Sequence, residues 1–239
     1  MGLFLSVCAG LGLAAACGLR VFLPLFMVSI GVKAGWVEMP AAFEWMGSNA
    51  AVVIFGTATV VEVVGFLIPW VDHILDVMAV PLSAVAGALL MTSQLLHATG
   101  ATIDPQTAGE VAAPLMHPAL AWSLGIIAGA GTASGVEAAS IAGRVSSSVL
   151  TIGWLNPIYG MMESVLSFIT TLLALAVPII TGIIVLLFIP IVLAAVWRLW
   201  AWRRKQRQAH EEKLRLARER IAVAMSHRAQ QLTESSGRP

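Results

Sequence analysis

Four ionisable side chains stand in sequence that otherwise suits lipid. Arg20 ends AGLGLAAACGLR and is followed by VFLPLF, Glu62 lies inside AVVIFGTATVVEVVGF, Glu137 follows IIAGAGTASGV, and Glu163 lies in MMESVLSF. A charge at the centre of a membrane helix costs about 2.5–3.5 kcal/mol on insertion scales, so each must have a partner or a task. An arginine can hold an anionic group, and a carboxylate that alternates between charged and neutral forms can carry a proton. Two readings of Arg20 and Glu137 stay open: an ion pair between them, or a substrate or ion site in which Arg20 holds an anion and Glu137 titrates. Glu62 is a candidate proton carrier, deep in a span of ordinary length. Glu163 has the matching place later in the chain, near the turn-forming Asn156-Pro157, where an interfacial structural role competes.

A second group is PWVDHILD at residues 69–76. Asp72 and Asp76 are four apart and share a helical face, with His73 beside them. Two carboxylates and an imidazole suit a divalent cation if further ligands come from elsewhere. The structural alternative has Asp72 as a helix N-cap and Asp76 paired with a cation such as Arg144. Arg144, in SIAGRVSSSVL, also suits a lipid phosphate at the membrane border. The sequence has no nucleotide loop, metalloprotease motif or nucleophile elbow, so neither an enzyme nor a bound cofactor is expected. Cys8 and Cys17 sit in apolar sequence as small hydrophobes.

The elements that hold these residues are helices. The chain has 239 residues, 58% hydrophobic and only 11% charged, against roughly a quarter charged in a soluble domain. At about 20 apolar residues per crossing, about six spans fall at 3–34, 51–70, 78–97, 119–150, 158–176 and 178–198. The first and fourth are too long for straight crossings, and each has a Gly-rich centre with an ionisable residue, so both are expected to be discontinuous helices or tight hairpins. Laying Gly12 on Gly129 puts Ala16 on Ala133, Gly18 on Gly135 and Arg20 on Glu137. Glu62 and Glu163 then correspond, as do Pro81 and Pro178. The fold expected is an all-α polytopic membrane protein of two inverted three-element repeats with broken first helices. Residues 1–98 form the first repeat, 99–117 a connector outside the membrane, 118–198 the second repeat and 199–239 a tail. RRKQR after the last span places the C-terminus in the cytoplasm. In the tail, Leu214, Ile221, Met225 and Leu232 give a thin apolar stripe on a basic helix, which suits anionic lipid rather than nucleic acid.

Taken together, GLRVFLP, the Glu62 helix, IPWVDHILD, the Pro81/Gly87 helix and the run GRVSSS, WLNP and Glu163 resemble one family. This is the bacterial membrane proteins catalogued as domain of unknown function 4126, over roughly residues 5 to 195. The resemblance implies a multi-pass protein of a bacterial cytoplasmic membrane. It also implies a basic residue one turn before Arg144 and an acidic residue just after Glu163, where this chain has Ser140 and Ser164. The function expected is a transporter-like protein, a homo-oligomer, moving a small solute or ion with proton coupling. Its midplane site would draw on Arg20, Glu137, Glu62, Glu163, Gly18 and Gly135. The alternatives are a scaffold or assembly factor whose buried charges only pair, and a lipid-handling, flippase-like protein.

Overall fold

In the computed structural model, residues 2–65, 69–99, 117–151 and 156–188 are described, with isolated positions at 190, 194, 198 and 204. Every regular element among them is helical. The first unit of the chain, Met1–Leu193, holds all the elements below. The second, Ala194–Pro239, contributes only positions 194, 198 and 204 to the described residues, so the amphipathic tail helix lies outside them, as does the connector over 100–116.

The first long apolar element is broken, as its centre predicts. Helix α1 (Leu3–Cys17) ends at Gly18 and helix α2 (Phe22–Lys33) begins after Val21. Pro24 explains the restart. It occupies the first turn of α2, where its missing N–H costs nothing, and its ring would clash with the carbonyl of Arg20 in a continuous helix. Helix α2 stops in a Schellman turn: Gly35 takes φ +74, Trp36 N–H reaches the Gly31 carbonyl at 2.8 Å, and Gly35 N–H reaches Val32 at 3.1 Å. A 3₁₀ segment (Ala41–Gly47) follows and seats Phe43 and Met46 in the interior, with Phe43 stacked on Trp122 at 5.7 Å. Helix α3 (Asn49–Gly65) then leaves that segment at a bend of 62°.

Helices α4 (Pro69–Thr99) and α5 (Pro118–Thr151) form the main packed pair and run antiparallel. Glycine brings them together: a methyl on Gly129 would meet Met91 Cβ at 2.7 Å, and one on Gly125 would meet Thr92 Cα at 2.7 Å. Helix α1 is apolar on every side because it is buried on nearly every side, against α4, α5 and α6 (Asn156–Ala176). Helix α7 (Pro178–Phe188) completes the set, with Thr181 close to Gly12 of α1. Outward faces are apolar; on α3, Val60, Val61, Val63 and Val64 are exposed while Glu62 between them is buried.

By length and composition, Met78–Ala98, Pro118–Arg144 and Ile158–Ala176 can each cross a membrane, and the bent pair Ala41–Gly47 with Asn49–Gly65 adds a fourth. Two expectations need correction. The element expected to break around Gly135 and Glu137 is one continuous helix of 34 residues. Glycine alone does not break a helix whose backbone bonds can all be made, and the position aligned with Pro24 is Ile141. Asp72 is not an N-cap: α4 opens at Pro69, which places Asp72 inside its first turn.

Candidate functional site

The break between α1 and α2 exposes backbone groups that the helix would otherwise pair, and two neighbouring helices supply partners. On the amide side, Val21 N–H donates to Glu62 Oε1 at 2.7 Å and Phe22 N–H to Glu62 Oε2 at 3.1 Å. Glu62 is thus the N-cap of α2, delivered from α3, and its charge lies at the positive end of the α2 dipole. On the carbonyl side, Ser167 of α6 donates to the Ala16 carbonyl at 3.0 Å. Arg20 Nη2 donates to the Gly160 carbonyl at 2.5 Å and lies 3.5 Å from Glu163 Oε2.

Helix α5 brings two more charges. Arg144 Nη2 is 3.6 Å from Glu137 Oε1, about two helical turns away on its own helix, and Arg144 Nε is 3.3 Å from Glu163 Oε1. Ser140 Oγ, one turn before Arg144, also donates to Glu163. Arg20 and Glu137 are each 2% exposed, Glu163 is 4% exposed, and Glu62 and Arg144 are 8% exposed. Arg20 lies within Coulombic range of Glu62, Glu163, Glu137 and Arg144. Among the described residues, two guanidiniums face three carboxylates, a formal excess of one negative charge.

Arg20, Glu62, Glu137 and Arg144 line a cavity of about 30 Å³ at the break, closed by Leu75, Ala79 and Leu82 of α4. That is room for one or two water molecules at roughly 10–15 Å³ each. Gly18 fits the break against α5, since a methyl there would meet Val136 Cβ at 2.7 Å. Around Gly135, among the described residues, no atom approaches the corresponding position.

All four lipid-embedded charges read from the sequence therefore meet, but in a different order. Arg20 meets Glu163 and Glu137 meets Arg144. Arg144, read at the membrane border as a phosphate or Asp76 partner, is a member of the buried cluster. Asp72, His73 and Asp76, read as metal ligands, have side chains outside the described residues; among the described residues, no three His, Cys, Asp or Glu side chains converge as a metal site would need. Ser140 and the Gly160 carbonyl were not read as site residues. Ser140 could have been, since its place one turn before Arg144 holds a basic residue in the pattern that the chain resembles, and that place faces Glu163.

The described residues form only helices, and helices of this length and polarity, with apolar outer faces and charges in the interior, are consistent with a membrane protein. The chain belongs to the family described as domain of unknown function (DUF4126), whose model matches residues 7–198. No curated protein and no solved structure matches it.

Proposed function

We propose that the protein is a transporter-like membrane protein that moves a proton, alone or coupled to a small ion, through the cluster at the α1–α2 break. One observation carries this reading: four buried ionisable groups, Arg20, Glu62, Glu137 and Arg144, line a water-sized cavity where a helix is interrupted. Structural ion pairs alone need no interrupted helix and no cavity. The cavity size favours a proton or a small ion over a larger solute. Glu137 is the carrier in this reading, because it lines the cavity without being committed to a helix end as Glu62 is. Arg20 and Arg144 set the field in which it works, and Glu62 and Glu163 hold the two arginines' surroundings in place.

The inverted-repeat architecture belongs to the same proposal. Helix α1 packs Gly12 on Thr181 of α7 as α5 packs Gly129 on α4, and the two aligned centres meet where Gly18 rests on Val136. Six crossings with the basic tail in the cytoplasm complete the arrangement, in the lipid bilayer and as a homo-oligomer. A scaffold reading has one observation in its favour, the tight pairing of Arg20, Arg144, Glu137 and Glu163.

Proteoliposomes with an entrapped pH dye and an imposed membrane potential separate these readings. The wild type should acidify the lumen several-fold faster than protein-free vesicles, Glu137→Gln should abolish the difference while remaining folded, and Glu62→Gln should lower stability more than it lowers flux per folded molecule. A wild type no faster than empty vesicles would leave the scaffold reading standing.

A further inference from the structure

Another cavity among the described residues is of a different kind. It is an open groove of about 620 Å³ between α5, α6 and α7, within the ~300–1,000 Å³ range of small-ligand sites. Its floor is Leu19 at the helix break with Val136 and Ala139 of α5, and its outer wall is α6. Along α6 it runs from Ile158 to Ile169, about 16 Å at 1.5 Å per residue. That matches one leaflet, half of a hydrocarbon core of ~30 Å.

The polarity of the groove changes along its length. Tyr159, Ser140 and Glu163 lie towards the end where α6 begins, and Val165, Leu166, Ile169 and Phe188 line the part further along α6. The α6 start at Asn156 closely follows the α5 end at Thr151, and Tyr159 Oη lies beside Gly143, so these two helix ends share one side of the protein. The polar end of the groove therefore faces one membrane border and its apolar end faces the bilayer centre. Water has no polar partners along the apolar end, so hydrocarbon must fill it.

We infer that this groove seats one acyl chain of a bilayer phospholipid, drawn from the leaflet at the N-terminal end of α6. The ester region lies beside Tyr159 and Ser140, and the chain descends past Leu166 to Ile169. A chain so placed covers Glu163 from the lipid side and closes the lateral wall of the charge cluster. The inference does not depend on transport, because a lipid seals the wall equally in a scaffold.

The full-length protein in nanodiscs, with a phospholipid carrying a diazirine near the middle of one acyl chain, tests this. Photolysis should label the groove floor at Val136 or Ala139, which lipids that merely surround the protein do not reach. Ala139→Trp should lower labelling of Val136 at least fivefold and leave that of the lipid-facing Ile54 unchanged. If Ala139→Trp does not fold, Val165→Trp on the opposite wall should do the same. No floor labelling in the wild type, or equal floor labelling in a folded filled variant, overturns the inference. So does recovery of Val136 cross-linked to a second copy of this chain, which would make the groove an interface between copies.

Discussion

The α1–α2 break and the middle of α5 carry nearly the same sequence pattern, and only one of them is broken. Gly12, Ala16, Gly18 and Arg20 align with Gly129, Ala133, Gly135 and Glu137. The first set ends in a restart at Phe22; the second passes through a continuous helix. Small residues allow helices to approach closely, but the interruption requires Pro24, and then a partner for the freed amides, which Glu62 supplies. A pattern of glycines thus marks close packing, while a proline four residues after the charge marks the break.

The largest expected effect comes from removing the charge that the break positions. Arg20→Ala removes one cation from beside Glu163, and breaking a buried ion pair costs about 3–5 kcal/mol. Glu163→Ala should cost a similar amount, and the double variant less than the two losses added together, with a coupling of roughly 0.5–3 kcal/mol. Thermal unfolding in detergent measures this, and additive losses would rule out direct contact between the two side chains. The same cycle on Arg20 and Glu137, which pair with Glu163 and Arg144 respectively, should show the weaker coupling.

Next in size is the conversion of one region into the other. Ile141→Pro places a proline in α5 where Pro24 stands relative to Arg20, and it should cost about 3 kcal/mol or more. The cost arises because proline removes an N–H from a continuous helix and its ring clashes with the Glu137 carbonyl. Hydrogen exchange at residues 137–140 should become fast in this variant and remain slow in the wild type. Slow exchange in a folded Ile141→Pro protein would show that α5 already has an alternative partner for those amides.

These differences explain what the sequence could and could not tell. Arg20, Glu62, Glu137 and Glu163 stand out because a charge in an apolar run is costly wherever it pairs, and that is a local property. Which carboxylate meets which arginine is not local. Arg20 reaches Glu163 and the Gly160 carbonyl across the fold, and nothing near either residue encodes that choice. Arg144 reads equally as a phosphate ligand at the membrane border or a partner of Asp76, and nothing local records that its side chain also turns along α5 towards Glu137. The break at Gly18 was legible, and Pro24 was the signal that α5 lacks. The role of Glu62 as a cap from another helix was hidden for the same reason as the ion pairs. Likewise, the groove is a property of spacing between α5 and α6, which composition does not record.

The smallest effects give the cleanest separation of the two regions. Gly18 and Gly135 occupy aligned positions and lie next to equivalent charges two residues on, so a pattern-based reading assigns them one role. Their surroundings differ. A methyl on Gly18 would press on the Ala133 backbone and on Val136 Cβ at 2.7 Å, and the α5 backbone cannot yield without parting from α4. Gly18→Ala should therefore cost about 1–3 kcal/mol, the usual range for overpacking, and should widen the cavity at Arg20 and Glu62 by pushing the break away from α5. Gly135 lies inside a continuous helix with no described atom in the way. There Gly135→Ala removes backbone freedom from the unfolded chain and should be neutral or stabilise by up to about 1 kcal/mol. Unfolding midpoints of the two variants should consequently move in opposite directions, or one should fall while the other stays. Equal losses at both positions would mean that α5 is opened at Gly135 in the working protein, and that the two aligned centres are more alike than their helices suggest.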